Sequence, residues 1–380
     1  MREPALGLRS GSLSARRGAA IPAPRPAGGW APLPVAVAPP SAGGALTRCW
    51  QPPFPLDLAR TLGVHRRGRG DPAYQTDAAG AAWRTSLTPD GPGTLRVYAV
   101  PGRAGAAGTP GPAGATDPGG PAGAAGTPGA ADVTGARPVV HAMAWGPGAA
   151  WLLASLPALL GADDDPSGFE PVHPLVKEMF RVHPGLRIAR SARVFEALIP
   201  AVLEQKVVGA EATRAWRLLL LKFGDLPPGP APRGMRVCPP PRTWVRIPSW
   251  EWHRAGVELV RARTIIGAAR VAHRLEEIAT MPSAEADRRL RSLSGIGPWT
   301  SAEIRQRACG DADAVSVGDY HLPSIVGWAL TGQKVDDAGM LQLLAPYAGH
   351  RHRAARLLVL SGMGPPRRGP RNAPRDYRRI

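Results

Sequence analysis

Residues 293–323 read LSGIGPWTSAEIRQRACGDADAVSVGDYHLP. Glycines stand on either side of one isoleucine and a proline follows at once. An isolated acid, Asp319, comes 24 positions after Gly295 (319 − 295), ahead of another apolar run. Gly295 and Gly297 can take positive φ and carry no side chain, so backbone N–H groups can approach another surface closely. Pro298 suits the first turn of a helix, where its missing donor costs nothing. The stretch reads as a hairpin between two short helices, the second of which offers free amides to an anion. A plain turn in a helical bundle would use the same residues, so the rest of the chain has to separate the two.

Outward from the hairpin, the patterns from 175 onward are almost all helical. ARVFEALIPAVLEQKVVGAEATRAWRLLLLKFG (192–224) places apolar residues three and four apart, and Gly224 with DLPPGP closes it. Further helices are expected over 257–279, over 283–293 with Ser283 as N-cap, and over 299–309, 320–330, 336–346 and 351–361. Eight or so helices with short connectors make an all-α domain over 162–365. Before it, 46–161 reads as a small α+β domain. AAWRTSLT (81–88), TLRVYAV (94–100) and PVVHAMAW (138–145) are strand-like, PDGPG marks a turn, and GAAWLLASLPALLG (148–161) is an amphipathic helix. The fold class expected is mainly α, an all-α domain preceded by the α+β one.

The flanks differ in kind. Residues 1–45 are rich in Pro, Ala and Gly without hydrophobic period and read as a disordered extension. Residues 102–137 are a Gly/Ala/Pro-rich insert, with glycine at 102, 105, 108, 111 and 114, then at 120, 123, 126 and 129. A collagen triple helix needs three chains and more proline, so a flexible loop expansion is the simpler reading. The tail 366–380 carries six arginines against Asp376.

The formal charge is +18, and only four of the 47 basic residues are lysine, Lys177, Lys206, Lys222 and Lys334. Such a surface favours polyanions, nucleic acid above all. Cys49, Cys238 and Cys309 are far apart and form no CxxC pair, which argues against a disulfide framework, a thiolate zinc site and an iron–sulfur cluster. No apolar run is long enough for a membrane span.

LSGIGPWTSAEI followed by GDADAVSVGDYHLP resembles the helix-hairpin-helix and Gly/Pro-loop-Asp signature of the DNA glycosylase superfamily. FEALIPAVLEQKVVG (195–209) and CWQPPFPLDLARTLG (49–63) are similar to segments of its 3-methyladenine DNA glycosylase II branch. The likeness covers most of 48–365. It implies that Gly295, Ile296, Gly297 and Thr300 grip a DNA phosphate, with a monovalent cation on the Gly295–Gly297 carbonyls and no other cofactor. It implies a flipped nucleotide, which excision from a duplex requires, and Asp319 as the catalytic carboxylate. A carboxylate there would stabilise a developing sugar cation, activate water, or both; the alternative for Asp319 is a helix N-cap.

Trp299 stands where strand-cutting members carry a Schiff-base lysine, so the resemblance is to monofunctional enzymes. Its ring either stacks on a cationic alkylated purine or packs in the core. Gln205, Tyr320 and Trp299 are the candidate pocket residues. Lys206 falls at the wedge position, where an apolar residue is usual, so either Val207 wedges or lysine fills the gap; a solvated lysine on a helix is the plain alternative. No aromatic occurs in HRHRAARLLVLSG (350–362), and His350 and His352 read as surface or phosphate contacts rather than metal ligands. The expectation is a monomeric bacterial alkylbase DNA glycosylase acting on damaged double-stranded DNA in the cytoplasm, at the nucleoid, with no membrane. A non-catalytic helix-hairpin-helix DNA-binding protein is the alternative, and an adenine or uracil mismatch glycosylase is disfavoured by Trp299 and the missing cluster cysteines.

Overall fold

The computed structural model describes residues 38–41, 44–102 and 137–366. Six strands, β1 (Ala38–Ser41), β2 (Ala45–Trp50), β3 (Tyr74–Thr76), β4 (Ala82–Thr88), β5 (Gly91–Val100) and β6 (Val139–Trp145), form one antiparallel sheet in the order β1-β2-β6-β5-β4-β3. The three strands expected are β4, β5 and β6. The PDGPG turn is tight: Thr88 pairs with Gly91, and Gly91 has φ +120°. Three strands escaped the sequence reading. β3 is too short to show a period, and β1, APPS, lies inside the stretch expected to be disordered. Nothing apolar announces β1; backbone pairing with β2 makes it a strand.

Two helices accompany the sheet. α1 (Leu58–Leu62) starts where the Asp57 carboxylate accepts the Arg60 N–H at 2.9 Å. α2 (Ala149–Leu159) buries Leu152, Leu153 and Leu156 against Leu95, Val97, Val140 and Ala142 of β5 and β6. Each leucine so buried contributes roughly 1.5–3 kcal/mol. On the other face Trp83 and Trp145 stack 5.5 Å apart. Val100 stands opposite Val139, and a Cβ on Gly102 would meet the Arg137 carbonyl oxygen at 2.0 Å. The insert therefore leaves and rejoins the β5–β6 hairpin at one point, while its residues 103–136, like 1–37 and 367–380, lie outside the described residues.

From residue 162 onward the described chain is helical: α3 (Pro174–Val182), α4 (Val194–Leu203), α5 (Gly209–Phe223), α6 (Pro241–Arg246), α7 (Ser249–Arg254), α8 (Leu259–Arg270), α9 (Ala272–Glu276), α10 (Ser283–Arg291), α11 (Pro298–Ile304), α12 (Leu322–Thr331), α13 (Asp337–Leu344) and α14 (Arg351–Leu360). The run 192–224, which has one continuous period, breaks at Glu204–Val208. Lys206 there takes φ +54°, a left-handed conformation that few non-glycine residues adopt. Lys206 therefore sits in a turn and not on a helix. Ser283 is not an N-cap either: Pro282 precedes α10, and the Ser283 hydroxyl donates to Asp311 at 2.6 Å.

Two apolar cores hold the helices. One gathers α4, α5, α8 and α10 with Ile296; the other gathers α3, α12, α13 and α14. Glu196 of α4 ties sheet to helices, accepting from Arg84 at 2.8 Å and Ser86 at 2.7 Å. A buried Arg353–Asp164 pair fixes α14 to the segment before α3. Among the described residues no helix is long and apolar enough to cross a membrane.

Candidate active site

The hairpin between α10 and α11 gives each of its central residues a separate task. Gly295 has φ +86°, and a Cβ there would lie 2.0 Å from Thr264 Oγ1 on α8. Only glycine fits both the angle and the gap. Ile296, 6% exposed, plugs into the first helical core. Gly297 departs from expectation: its backbone is extended (φ −93°, ψ −177°), and open space surrounds the place of a Cβ. Its smallness leaves the start of α11 uncovered. No side chain caps that helix, and its first internal bond runs from Ser301 N–H to the Gly297 carbonyl, so the Trp299 and Thr300 amides precede the ladder.

Gln205 braces this turn from the α4–α5 loop. Its side-chain amide donates to the Gly295 carbonyl at 2.9 Å and to Thr300 Oγ1 at 2.8 Å. Thr300 is only 2% exposed, so its hydroxyl serves the brace, and its backbone N–H is what it can offer a phosphate. The same contacts bear on the expected cation. Gly295 O accepts from Gln205 and Gly297 O from Ser301, and each carbonyl keeps a second lone pair that a monovalent cation could use. Among the described residues no cluster of His, Cys, Asp and Glu could hold a metal.

Asp319 lies on a loop held at several points. Past α11 a wider helical turn, Arg305–Cys309, ends at Gly310 (φ +69°). Asp311 then pairs with Arg305 and Asp313 with Arg351, Gln306 donates to Ala314 O at 2.8 Å, and Asp337 accepts the Gly318 N–H at 3.0 Å. Asp319 Oδ1 accepts the His321 and Leu322 N–H groups, both at 2.8 Å, at the start of α12. Oδ2 accepts the Trp299 indole N–H at 3.0 Å. The capping geometry is thus present, and so is a link from the hairpin helix to the acid.

Beside Asp319 opens a cavity of about 340 Å³, in the range of small-molecule sites. α11 and its continuation supply Glu303, Gln306 and Arg307, α12 supplies Leu322 and Ile325, and α14 supplies His352 and Arg356. Glu303 accepts from Arg307 at 2.7 Å and from Ser316 at 2.6 Å. Burial, reinforced by Arg356, Arg307 and Arg353, holds the His352 imidazole well below its ordinary pKa, so it is neutral at pH 7. Of the residues singled out in the sequence, Asp319 lines this cavity, whereas Trp299, Gln205 and Tyr320 are not among its lining residues. Tyr320 is 84% exposed, its ring edge-on to His321 at 4.8 Å. The polar wall of α14 escaped notice because arginines spaced along a basic helix look like solvated charge. His352 faces the cavity rather than lying on the outer surface.

Solved structures share this architecture. The 3-methyladenine DNA glycosylase of Archaeoglobus fulgidus superimposes with a TM-score of 0.59 at 14% identity, over 82% of this chain and 97% of that one. MBOgg1 in complex with a DNA ligand gives 0.58 at 13% identity, over 87% and 98%. The Clostridium acetobutylicum 8-oxoguanine glycosylase/lyase gives 0.56 at 11%, over 86% and 99%. The chain has the fold of a DNA glycosylase. No protein-family model and no curated protein matches the sequence. Within that glycosylase fold, the hairpin and the Asp319 loop meet at the Trp299–Asp319 hydrogen bond.

Proposed function

We propose that this chain is a monofunctional DNA N-glycosylase, which flips a damaged nucleotide out of the duplex and hydrolyses its glycosidic bond. The observation that carries the reading is Asp319: a carboxylate oriented by three N–H groups, at the wall of a cavity, one hydrogen bond from the hairpin helix. As the C1′–N bond breaks, its electron pair leaves with the base and positive charge builds on the sugar. A preorganised carboxylate stabilises that charge and can take a proton from the water that adds to C1′. Free amides at the start of α11 and the basic surface supply the phosphate grip. Lys206, exposed and held at φ +54° beside the braced turn, is the candidate to enter the gap left by the flipped base.

The similar folds are named for 3-methyladenine and for 8-oxoguanine, and alkylated purines are the class implied by the sequence resemblance, so both belong in the assay. The test is single-turnover base release by the wild type and by Asp319→Asn, with affinity for an abasic-analogue duplex measured in parallel. Loss of the charge should slow release on the order of 10²–10³-fold or more while binding survives. Borohydride should trap no covalent adduct, because Trp299 offers no amine. Tight DNA binding with no release of any lesion would instead identify a non-catalytic DNA-binding protein.

A further inference from the structure

The cavity wall contributed by α14 carries a charge that the proposed chemistry leaves unused. Arg307, the other arginine there, is neutralised by Glu303 at 2.7 Å and spends its Nε on the Val64 carbonyl at 3.1 Å. Arg356 is different. Among the described residues no carboxylate pairs with it, and its hydrogen bond goes to the Arg60 carbonyl at 3.3 Å. Burial, with Arg307 nearby, pulls its pKa down to about 10, which still leaves it cationic at pH 7. A guanidinium carries five N–H donors, so most of Arg356's donors remain for a ligand. One turn earlier on the same helix, His352 presents a neutral imidazole, one donor and one acceptor, to the same space.

These groups discriminate between classes of base. A cationic alkylated adenine such as 3-methyladenine would bring a second positive charge toward Arg356 inside the protein, where like charges repel more than in bulk solvent. With an exocyclic amine and no exocyclic oxygen, it would also leave the guanidinium without a carbonyl acceptor. A neutral base bearing an added exocyclic oxygen, whether by oxidation or by replacement of an amino group through deamination, supplies the missing acceptor. We infer that Arg356 is a specificity-determining residue, donating to an exocyclic carbonyl oxygen of the flipped base and so favouring oxidised or deaminated bases over cationic alkylated adenines. This inference rests on the glycosylase reading above and sets a carbonyl-bearing base against 3-methyladenine for this cavity.

The test compares release, in single turnover, from duplexes carrying 8-oxoguanine, hypoxanthine or uracil at one position and from methylated duplex, read as free 3-methyladenine. It uses wild type, Arg356→Met and Arg356→Lys, with thermal unfolding and affinity for an abasic-analogue duplex as controls. The wild type should release at least one carbonyl-bearing lesion faster than 3-methyladenine. Arg356→Met should lower that preference roughly 10- to 100-fold, the usual weight of a hydrogen bond to a charged group. Arg356→Lys should recover part of it, and abasic-duplex affinity should not change. Fastest release of 3-methyladenine would overturn the inference and leave the glycosylase reading standing. So would an equal loss on all lesions together with abasic-duplex affinity, which would assign Arg356 to a phosphate. Release of none of the lesions, with abasic-duplex binding intact, would overturn both.

Discussion

At the scale of single residues, the hairpin shows why one glycine cannot stand for another. Gly295 is required twice, by its positive φ and by Thr264, whose Oγ1, Cγ2 and Cβ would lie 2.0, 3.0 and 3.1 Å from an added Cβ. Gly297 is required by neither, and its value lies in what it leaves open. Gly295→Ala should therefore lower the melting temperature and weaken DNA binding, through about 1–2 kcal/mol of left-handed strain plus a clash. Thr264→Ala removes the two γ atoms, so the double variant should recover the clash part and keep the strain. A double variant no more stable than Gly295→Ala alone, measured by thermal and denaturant unfolding, would show that the gap is closed by something other than Thr264. Gly297→Ala should fold normally and lose DNA affinity, since its methyl group would stand where a phosphate has to approach.

At the scale of elements, the α4–α5 turn and the hairpin act as one unit because Gln205 joins them. Gln205→Ala breaks both hydrogen bonds, leaves the Thr300 hydroxyl without its partner and costs about 1–3 kcal/mol locally. The expected result is faster hydrogen exchange in the hairpin and weaker binding to an abasic-analogue duplex, with β-sheet exchange unchanged. Normal hairpin protection would deny the brace its role. This contact also marks the limit of what the sequence discloses. The hairpin, the long helices and strands β4 to β6 were legible, because Gly–Pro chemistry, helical periodicity and alternation are local signals. The break at Glu204–Val208 was not: Pro200 sits inside α4 and Gly209 begins α5, so neither marks the left-handed turn at Lys206. β1 and β3 were hidden for a related reason, since their pairing partners hold them and their composition does not. Asp319 could be picked out through the resemblance of its loop to the Gly/Pro-loop-Asp signature, since Glu303, Asp311 and Asp313 also follow the hairpin, but the cavity wall could not. Glu303, Arg307, His352 and Arg356 come from helices separated by the whole of α12 and α13, and only folding makes them neighbours.

At the scale of the molecule, the chain combines a small number of directed contacts with a large undirected charge. On the glycosylase reading, the net charge of +18 would attract any DNA, whereas the hairpin amides and the Asp319 cavity would act only on DNA bound in register. The two contributions separate by their response to salt. Each phosphate neutralised releases a counterion, and log affinity falls with log salt by about 0.9 per contact. The tail 367–380 contains six arginines and one aspartate, so its removal should shallow that slope by up to about 0.9 for each arginine that meets a phosphate. Base release at saturating enzyme, and the ratio of rates between lesions, should not change, because neither depends on how many distant charges hold the backbone. Affinity measured from low to moderate salt, with full-length and truncated chains on the same duplex, decides the matter. An unchanged slope would assign the tail no part in binding. A changed lesion ratio would mean that the tail reaches the cavity, and that the separation of charge from selectivity does not hold in this molecule.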